Sequence, residues 1–174
     1  MKKALACLLA IAILASLGIT AFAAEVPSVE AEDVVPVVAE AVDADGKDAV
    51  DAIVITDYED KDAVSEDAQK QLDDAAEALK DVAALVEGNE ELKELLNGAE
   101  ADCESLFDIS IVGDEIKLPV EMKLELSNPD NFAALLHFVD GEATLVETAL
   151  EDEMLVFTLE ETGVYAVLSF VEAE

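Results

Sequence analysis

His137 is the only histidine of the chain, so a zinc site or a nucleophile–histidine pair would have to be built around it. No G-x-S-x-G motif accompanies it anywhere in the 174 residues. Leu135 and Val139 flank it at a spacing of two, which is the pattern of one strand face. We therefore interpret His137 as a histidine on a packed or half-exposed strand.

Cys103 is the only cysteine that an exported form of the chain would retain, because Cys7 lies in the N-terminal apolar segment described below. A single cysteine cannot form an internal disulfide. Its neighbours Asp102 and Glu104 carry negative charges, which disfavour the thiolate that nucleophilic catalysis requires. The sequence predicts an unreactive thiol.

Residues 43–47 resemble part of a calcium-binding loop. Asp43, Asp45 and Gly46 fit the third, fifth and sixth positions of the pattern D-x-[DN]-x-[DN]-G. The first, ninth and twelfth positions of such a loop are alanines in this chain: Ala41, Ala49 and Ala52. Because the twelfth position normally supplies a bidentate carboxylate, we expect a solvated acidic turn and assign no metal ligand.

Paired carboxylates of the glycosidase type cannot be identified by counting, since 42 aspartates and glutamates offer many pairs. A sugar-binding cleft also needs aromatic side chains, and the chain has no tryptophan and two tyrosines, Tyr58 and Tyr165. Its seven glycines are scattered singly, which is untypical of a phosphate-binding loop. We assign no catalytic, cofactor-binding or metal-binding residue and expect a protein that is not an enzyme.

The charge of the chain is strongly negative. Nine basic residues, all of them lysines, face 42 carboxylates, which gives a formal net charge of −33. Such a chain repels phosphate backbones and anionic lipid surfaces, so the composition excludes nucleic-acid binding. It suits a protein whose copies repel one another, or one that meets cations or a basic surface.

The N-terminus has the three parts of a secretory signal peptide. Two lysines are followed by an apolar stretch over residues 4–17 and by a small-x-small cleavage site at residues 21–23. We expect residues 1–23 to be removed and the exported chain to begin at Ala24. Ala24 stands immediately after the site, where a lipid anchor would need a cysteine, and no apolar tail ends the chain, so we expect an extracellular protein without a membrane anchor.

The elements that would position these residues begin with a segment whose apolar residues show no sustained period. Residues 24–50 mix alanine, valine and acidic residues with two prolines, which predicts a flexible acidic linker.

A short strand and a helical hairpin are predicted over residues 51–100. Residues 52–56 are a β-branched run typical of a strand. Ser65 can cap a first helix, and Gly88 can end it after about six turns.

The first predicted helix carries a narrow apolar stripe with alternating steps of four and three residues. Its members are Ala68, Leu72, Ala75, Leu79, Val82 and Val86. Such a stripe must be covered, and we expect strands of the same protein to cover its N-terminal part. A second, short helix is predicted between the cap Asn89 and the pair Asn97-Gly98, which gives the hairpin.

From Leu106 onward the period of the apolar residues changes from 3.6 to 2, which predicts an antiparallel β-module over residues 105–172. Strands are predicted at residues 107–111, 120–126, 132–139, 144–148, 154–159 and 164–171, the first two with one wet face. The pair Asp140-Gly141 predicts a hairpin. The expected fold class is α+β, with an N-terminal helical hairpin followed by a small antiparallel β-sandwich-like module.

Several short motifs of the β-module follow one another in a recognisable order. They are Phe107-Asp108-Ile109-Ser110, Leu118-Pro119-Val120, Leu136-His137-Phe138-x-Asp140-Gly141, Leu155-x-Phe157 and Gly163-Val164-Tyr165-Ala166-Val167. In this order the chain resembles, over about residues 50–171, a family of uncharacterised secreted and cell-surface proteins of Clostridia-type bacteria. The resemblance implies an extracellular accessory protein and brings no catalytic residue.

These features together predict a secreted, non-enzymatic structural or interaction protein of the bacterial cell exterior. Its partner would be a protein or a component of the envelope. The alternative is an acidic envelope protein that binds cations such as calcium. A small hydrolase is the third class considered, and calorimetric titration with calcium separates the first two.

Overall fold

The computed structural model describes residues 35–171, and the structural statements that follow refer to this part of the chain. The predicted signal peptide, residues 1–23, lies outside it, as do residues 24–34 and 172–174. The strands are β1 (Val37–Val42), β2 (Ile53–Asp57), β3 (Ala101–Ile111), β4 (Val120–Glu125), β5 (Phe132–Val139), β6 (Glu142–Val146), β7 (Thr148–Glu151), β8 (Met154–Leu159) and β9 (Gly163–Phe170). The α-helices are α1 (Glu66–Leu79), α2 (Val82–Gly88) and α3 (Glu90–Leu96).

The strands form two antiparallel sheets. The four-stranded sheet has the order β1-β4-β8-β7, and the five-stranded sheet has the order β2-β3-β9-β5-β6. A single residue, Glu147, separates β6 from β7, so the chain passes directly from the edge of one sheet to the edge of the other. We call this point the β6–β7 crossover. Helices and antiparallel sheets are both present, which confirms the predicted α+β class.

The five-stranded sheet is the middle layer of three. Its strand β9 contributes Val164, Ala166 and Leu168 to a core shared with the helices. Tyr165 and Val167 of the same strand enter a second core, shared with the four-stranded sheet. Successive side chains of a strand point to opposite faces, so a strand buried on both faces needs a continuous apolar run, as β9 and β5 have.

Strand β3 is buried on both faces, and the expectation of one wet face is wrong for it. Leu106 packs in the core on the helix side, whereas Phe107 and Ile109 pack against the four-stranded sheet. Asp108, which the sequence pattern places on a wet face, is only 5% exposed. The amphipathic pattern misleads here because β3 lies between β2 and β9 in the middle sheet.

The first predicted helix is split into two. Ser65 caps α1 as expected, and its Oγ accepts a hydrogen bond from the Ala68 N–H at 3.2 Å. The helix does not run on to Gly88, because Asp81 leaves the helical region at φ −133° and caps α2 by accepting from the Ala84 N–H at 2.9 Å. Aspartate competes with the helical backbone in this way, which ends one helix and starts the next.

The apolar stripe of α1 packs on the middle sheet, as the sequence analysis expects. Leu72, Ala75 and Leu79 have no exposed surface and share a core with Leu136 and Ala166 of the sheet. Residues from both predicted segments, 51–100 and 105–172, therefore contribute to this core.

Residues 37–42 form an edge strand, which corrects the prediction of a flexible linker over this part of residues 24–50. β1 pairs antiparallel with β4. Its Ala41 is 2% exposed in the core between the sheets. The segment holds only valines, alanines and one glutamate, so its apolar period is weak and the pairing with β4 supplies the order.

The predicted hairpin at Asp140-Gly141 is confirmed. β5 and β6 pair in register across it, from Val139 opposite Glu142 onward. Asp140 and Gly141 have φ angles of 51° and 81°, the positive values that a type I′ turn requires.

None of the helices found between residues 35 and 171 has the length and apolar character needed to span a bilayer.

Candidate functional site

A cavity of about 830 Å³ opens where both sheets approach the β6–β7 crossover. The four-stranded sheet contributes side chains from all of its strands, and the middle sheet contributes side chains from β5, β6 and β9. The charged and titratable lining residues are Glu40, Glu121, Lys123, His137, Glu147, Glu151, Glu160, Glu161 and Tyr165. A volume of this size is typical of clefts that hold a ligand of several linked groups.

Strand alternation places a charged row of β4 at this cavity. Val120, Met122 and Leu124 have no exposed surface and pack between the sheets. Glu121 and Lys123 therefore point to the opposite face, which we call the outer face of the four-stranded sheet. Both residues line the cavity.

One ammonium group of the protein itself, that of Lys123, lies at the cavity and is paired with a carboxylate. Lys123 of β4 lies opposite Glu40 of β1, and its Nζ is 3.0 Å from Glu40 Oε2. The hydrogen bond and charge of Glu40 raise the pKa of Lys123, and the charges of Glu151 and Asp152 raise it further. Carboxylates from β1 and from the β7–β8 hairpin therefore stabilise a cation at this position.

His137 of β5 also lines the cavity, and its ring is stacked on that of Tyr165. The ring centroids are 4.5 Å apart and the planes differ by 16°. Burial lowers the pKa of His137, and the charge of Glu161 opposes this shift only in part, so the imidazole is neutral at pH 7. The Tyr165 hydroxyl donates to the Glu161 carbonyl at 2.6 Å, and burial raises the pKa of this tyrosine. A Cβ at Gly163 would lie 3.3 Å from His137 Nε2, so glycine leaves room for the stack.

The lining is poorly suited to nucleophilic catalysis. Its aliphatic hydroxyls belong to Thr144, Thr148 and Thr158, and it contains no serine or cysteine. The Thr144 hydroxyl donates to the backbone carbonyl of His137 at 3.1 Å, not to its ring. The glutamates of the lining are exposed, whereas a carboxylic acid that donates protons near neutral pH is normally held in apolar surroundings.

The aromatic rings of the cavity are equally unsuited to stacking on a sugar. Tyr165 is 3% exposed and Phe157 is 4% exposed, so the protein already covers their faces. What the cavity presents instead is carboxylate oxygens alternating with small apolar side chains on a sheet. This arrangement can bind cationic groups reversibly.

The acidic turn at residues 43–47 is bonded to Lys117, which lies in the loop before β4. Asp43 is buried, in contrast to the expected solvated turn, and its carboxylate accepts from the backbone N–H groups of Lys47 (2.8 Å), Asp45 (2.9 Å) and Lys117 (3.4 Å). These bonds, that from Lys47 above all, lower the pKa of Asp43. Asp45 pairs with Lys117 Nζ at 2.6 Å. The assignment of no metal ligand to this turn stays a prediction.

Cys103 takes no part in the cavity. Its side chain is buried, with Sγ 3.6 Å from the Ser105 carbonyl oxygen. Burial raises the pKa of the thiol to about 12, and the charges of Glu104 and Asp102 add to the shift. The thiol is therefore protonated at neutral pH and unreactive, as the sequence predicts.

Sequence reasoning did not single out the residues around Lys123. The alternation in β4 correctly predicted an exposed row containing Glu121 and Lys123. Glu40, however, was assigned to a linker, and Glu151 lies 28 residues further along the chain than Lys123. Only strand pairing brings the three side chains to one place.

Comparison of the chain with protein-family models, with curated proteins and with solved structures finds no match. In the part of the chain that the structure describes, no three histidine, cysteine, aspartate or glutamate side chains are grouped as a metal site requires. The cavity and its charges are therefore the basis for inferring a function.

Proposed function

We propose that the chain is an exported, non-catalytic interaction protein of the bacterial cell exterior, and that it holds its partner in the cavity beside the β6–β7 crossover. The observation that carries the proposal is the cavity itself. It is open, measures about 830 Å³, and is lined by exposed polar side chains from strands whose other face is buried. A surface supported in this way is pre-organised for binding.

Export is supported by the sequence of residues 1–23, which has the charged, apolar and cleavage regions of a signal peptide. The resemblance to secreted proteins of Clostridia-type bacteria points in the same direction. An interaction role is favoured over catalysis because the cavity pairs no nucleophile with its histidine, whose ring is stacked on Tyr165.

The proposal is tested by site-specific photo-cross-linking. A photoreactive phenylalanine analogue replaces Thr158, which is exposed in the cavity, or Glu91, which is exposed on α3 in the helical layer. Each purified variant is incubated with intact cells of the producing bacterium and irradiated. We expect a discrete adduct from the Thr158 position and none from the Glu91 position, since only the cavity is the binding surface.

Equal adducts from both positions would show non-specific adhesion and contradict the proposal. The absence of adducts at Thr158, in a variant whose melting temperature equals that of the parent, would contradict it as well. Turnover of a substrate in the medium that depends on His137 would show that the protein is an enzyme.

A further inference from the structure

We propose that the partner segment held in the cavity is a lysine-rich peptide stretch, bound in extended form across the outer face of the four-stranded sheet. This inference rests on the proposed function and specifies the chemistry of the partner. Three observations carry it: the charge of the lining, the ammonium group already bound there, and the charge of the other possible occupants.

The lining carries six glutamates against a single lysine. Small apolar side chains such as Val42, Ala149 and Val156 lie among the carboxylates. A lysine side chain has an apolar stem and a positively charged head. Its stem can pack on the apolar side chains of the cavity while its ammonium group binds a neighbouring carboxylate. A strand of a partner can present such side chains at every second residue.

The contacts of Lys123 show that carboxylates of the cavity bind an ammonium group. Glu40 Oε2 lies 3.0 Å from Lys123 Nζ, and Glu151 is near enough for its charge to act on the same group. The Lys123 side chain is 32% exposed, and about 830 Å³ of the cavity is open with this side chain in place. A partner's ammonium group can be bound by the same carboxylates, either beside Lys123 or in its place.

The other candidate occupants carry the wrong charge. Residues 24–34, which precede the described part of the chain, contain four carboxylates and no lysine. A second copy of the chain brings a formal charge of −33. Like charges repel, so neither the chain's own acidic segment nor a second copy suits an acidic cavity. A cationic partner is the occupant with complementary charge.

The experiment measures binding of a fluorescent peptide of alternating lysine and valine to the full exported chain by anisotropy at physiological salt. The same peptide with acetylated lysines keeps the shape and removes the charge. Lys123→Met is compared with Lys93→Met on α3, which changes the net charge by the same amount outside the cavity. Glu121→Gln is compared in the same way with the exposed Glu94→Gln on α3.

We expect Lys123→Met to tighten binding by about fivefold, because the carboxylates that hold the resident ammonium become available, and Lys93→Met to change it by less than about twofold. Glu121→Gln should weaken binding by about threefold to fivefold, and Glu94→Gln should have little effect. The acetylated peptide should not bind.

Several results would overturn the inference. Equal effects of the cavity and α3 variants would show attraction by overall charge, without a site. Binding of the acetylated peptide, or of the small polyamine spermine as tightly as the peptide, would show that a lysine-rich chain is not required. If no peptide binds while the Thr158 cross-links persist, the partner is of another chemistry and the proposed function stands.

Discussion

At the scale of single residues, Asp108 places a carboxyl group inside the middle sheet. It is 5% exposed and lies in register with Thr56 of β2 and Val164 of β9. Burial raises the pKa of Asp108, and no cation lowers it again. The folded chain therefore binds this proton more tightly than the unfolded chain, so the contribution of Asp108 to stability is most favourable at low pH and is lost as the pH rises through its raised pKa.

The Asp108→Asn variant should be more stable than the parent at pH 7, because the amide carries no charge into the sheet. The gain in melting temperature should shrink as the pH falls through the raised pKa of Asp108 and should be lost below about 4, where the carboxyl group is protonated in the folded and the unfolded parent. Asp102→Asn is the matched control, since it removes an equal charge from an exposed position of β3. An equal gain in both variants would show relief of overall repulsion, and a loss in Asp108→Asn would show that the carboxylate has a stabilising partner.

At the scale of elements, the helices and the edge strand show which features the local sequence pattern predicts and which it does not. The caps Ser65 and Asn89 lie where the sequence predicts them, since a cap depends on a side chain and the next three residues. The break at Asp81 and the pairing of β1 were not predicted. Both depend on tertiary packing. Asp81 could equally stand inside a helix, and β1 is ordered by its pairing with β4.

Leu79→Ala should lower the free energy of unfolding by about 2–5 kcal/mol, because Leu79 has no exposed surface between α1 and the middle sheet. The matched control is Leu95→Ala on α3, where the side chain is 50% exposed and the change should lie within about 0.5 kcal/mol. Denaturant unfolding followed by circular dichroism measures both. A small effect at Leu79 would mean that the helices add little to the stability of the sheets.

At the scale of the whole molecule, the formal charge of −33 sets the response to salt. Carboxylates far outnumber the lysines that could pair with them, so net repulsion destabilises the compact state and salt screens it. We expect the melting temperature to rise between about 10 mM and about 300 mM sodium chloride at pH 7, measured by calorimetry.

Reductant should leave the melting temperature unchanged, since Cys103, the one cysteine between residues 35 and 171, is a buried free thiol. A melting temperature that falls with salt would mean that the ion pairs, such as that of Lys47 with Glu115, outweigh the repulsion.

Composition, charge, the caps, the hairpin at Asp140-Gly141 and the change of period at Leu106 were determined by the sequence alone, because each depends on residues close together in the chain. The three-layer order, the burial of Asp108 and the cavity were decided only by the tertiary structure. Strand alternation tells which residues share a face, but not whether another layer covers that face or which distant strand lies beside it. Glu40, Lys123 and Glu151 meet because β1 and the β7–β8 hairpin pack around β4, and no local pattern in the chain encodes that pairing.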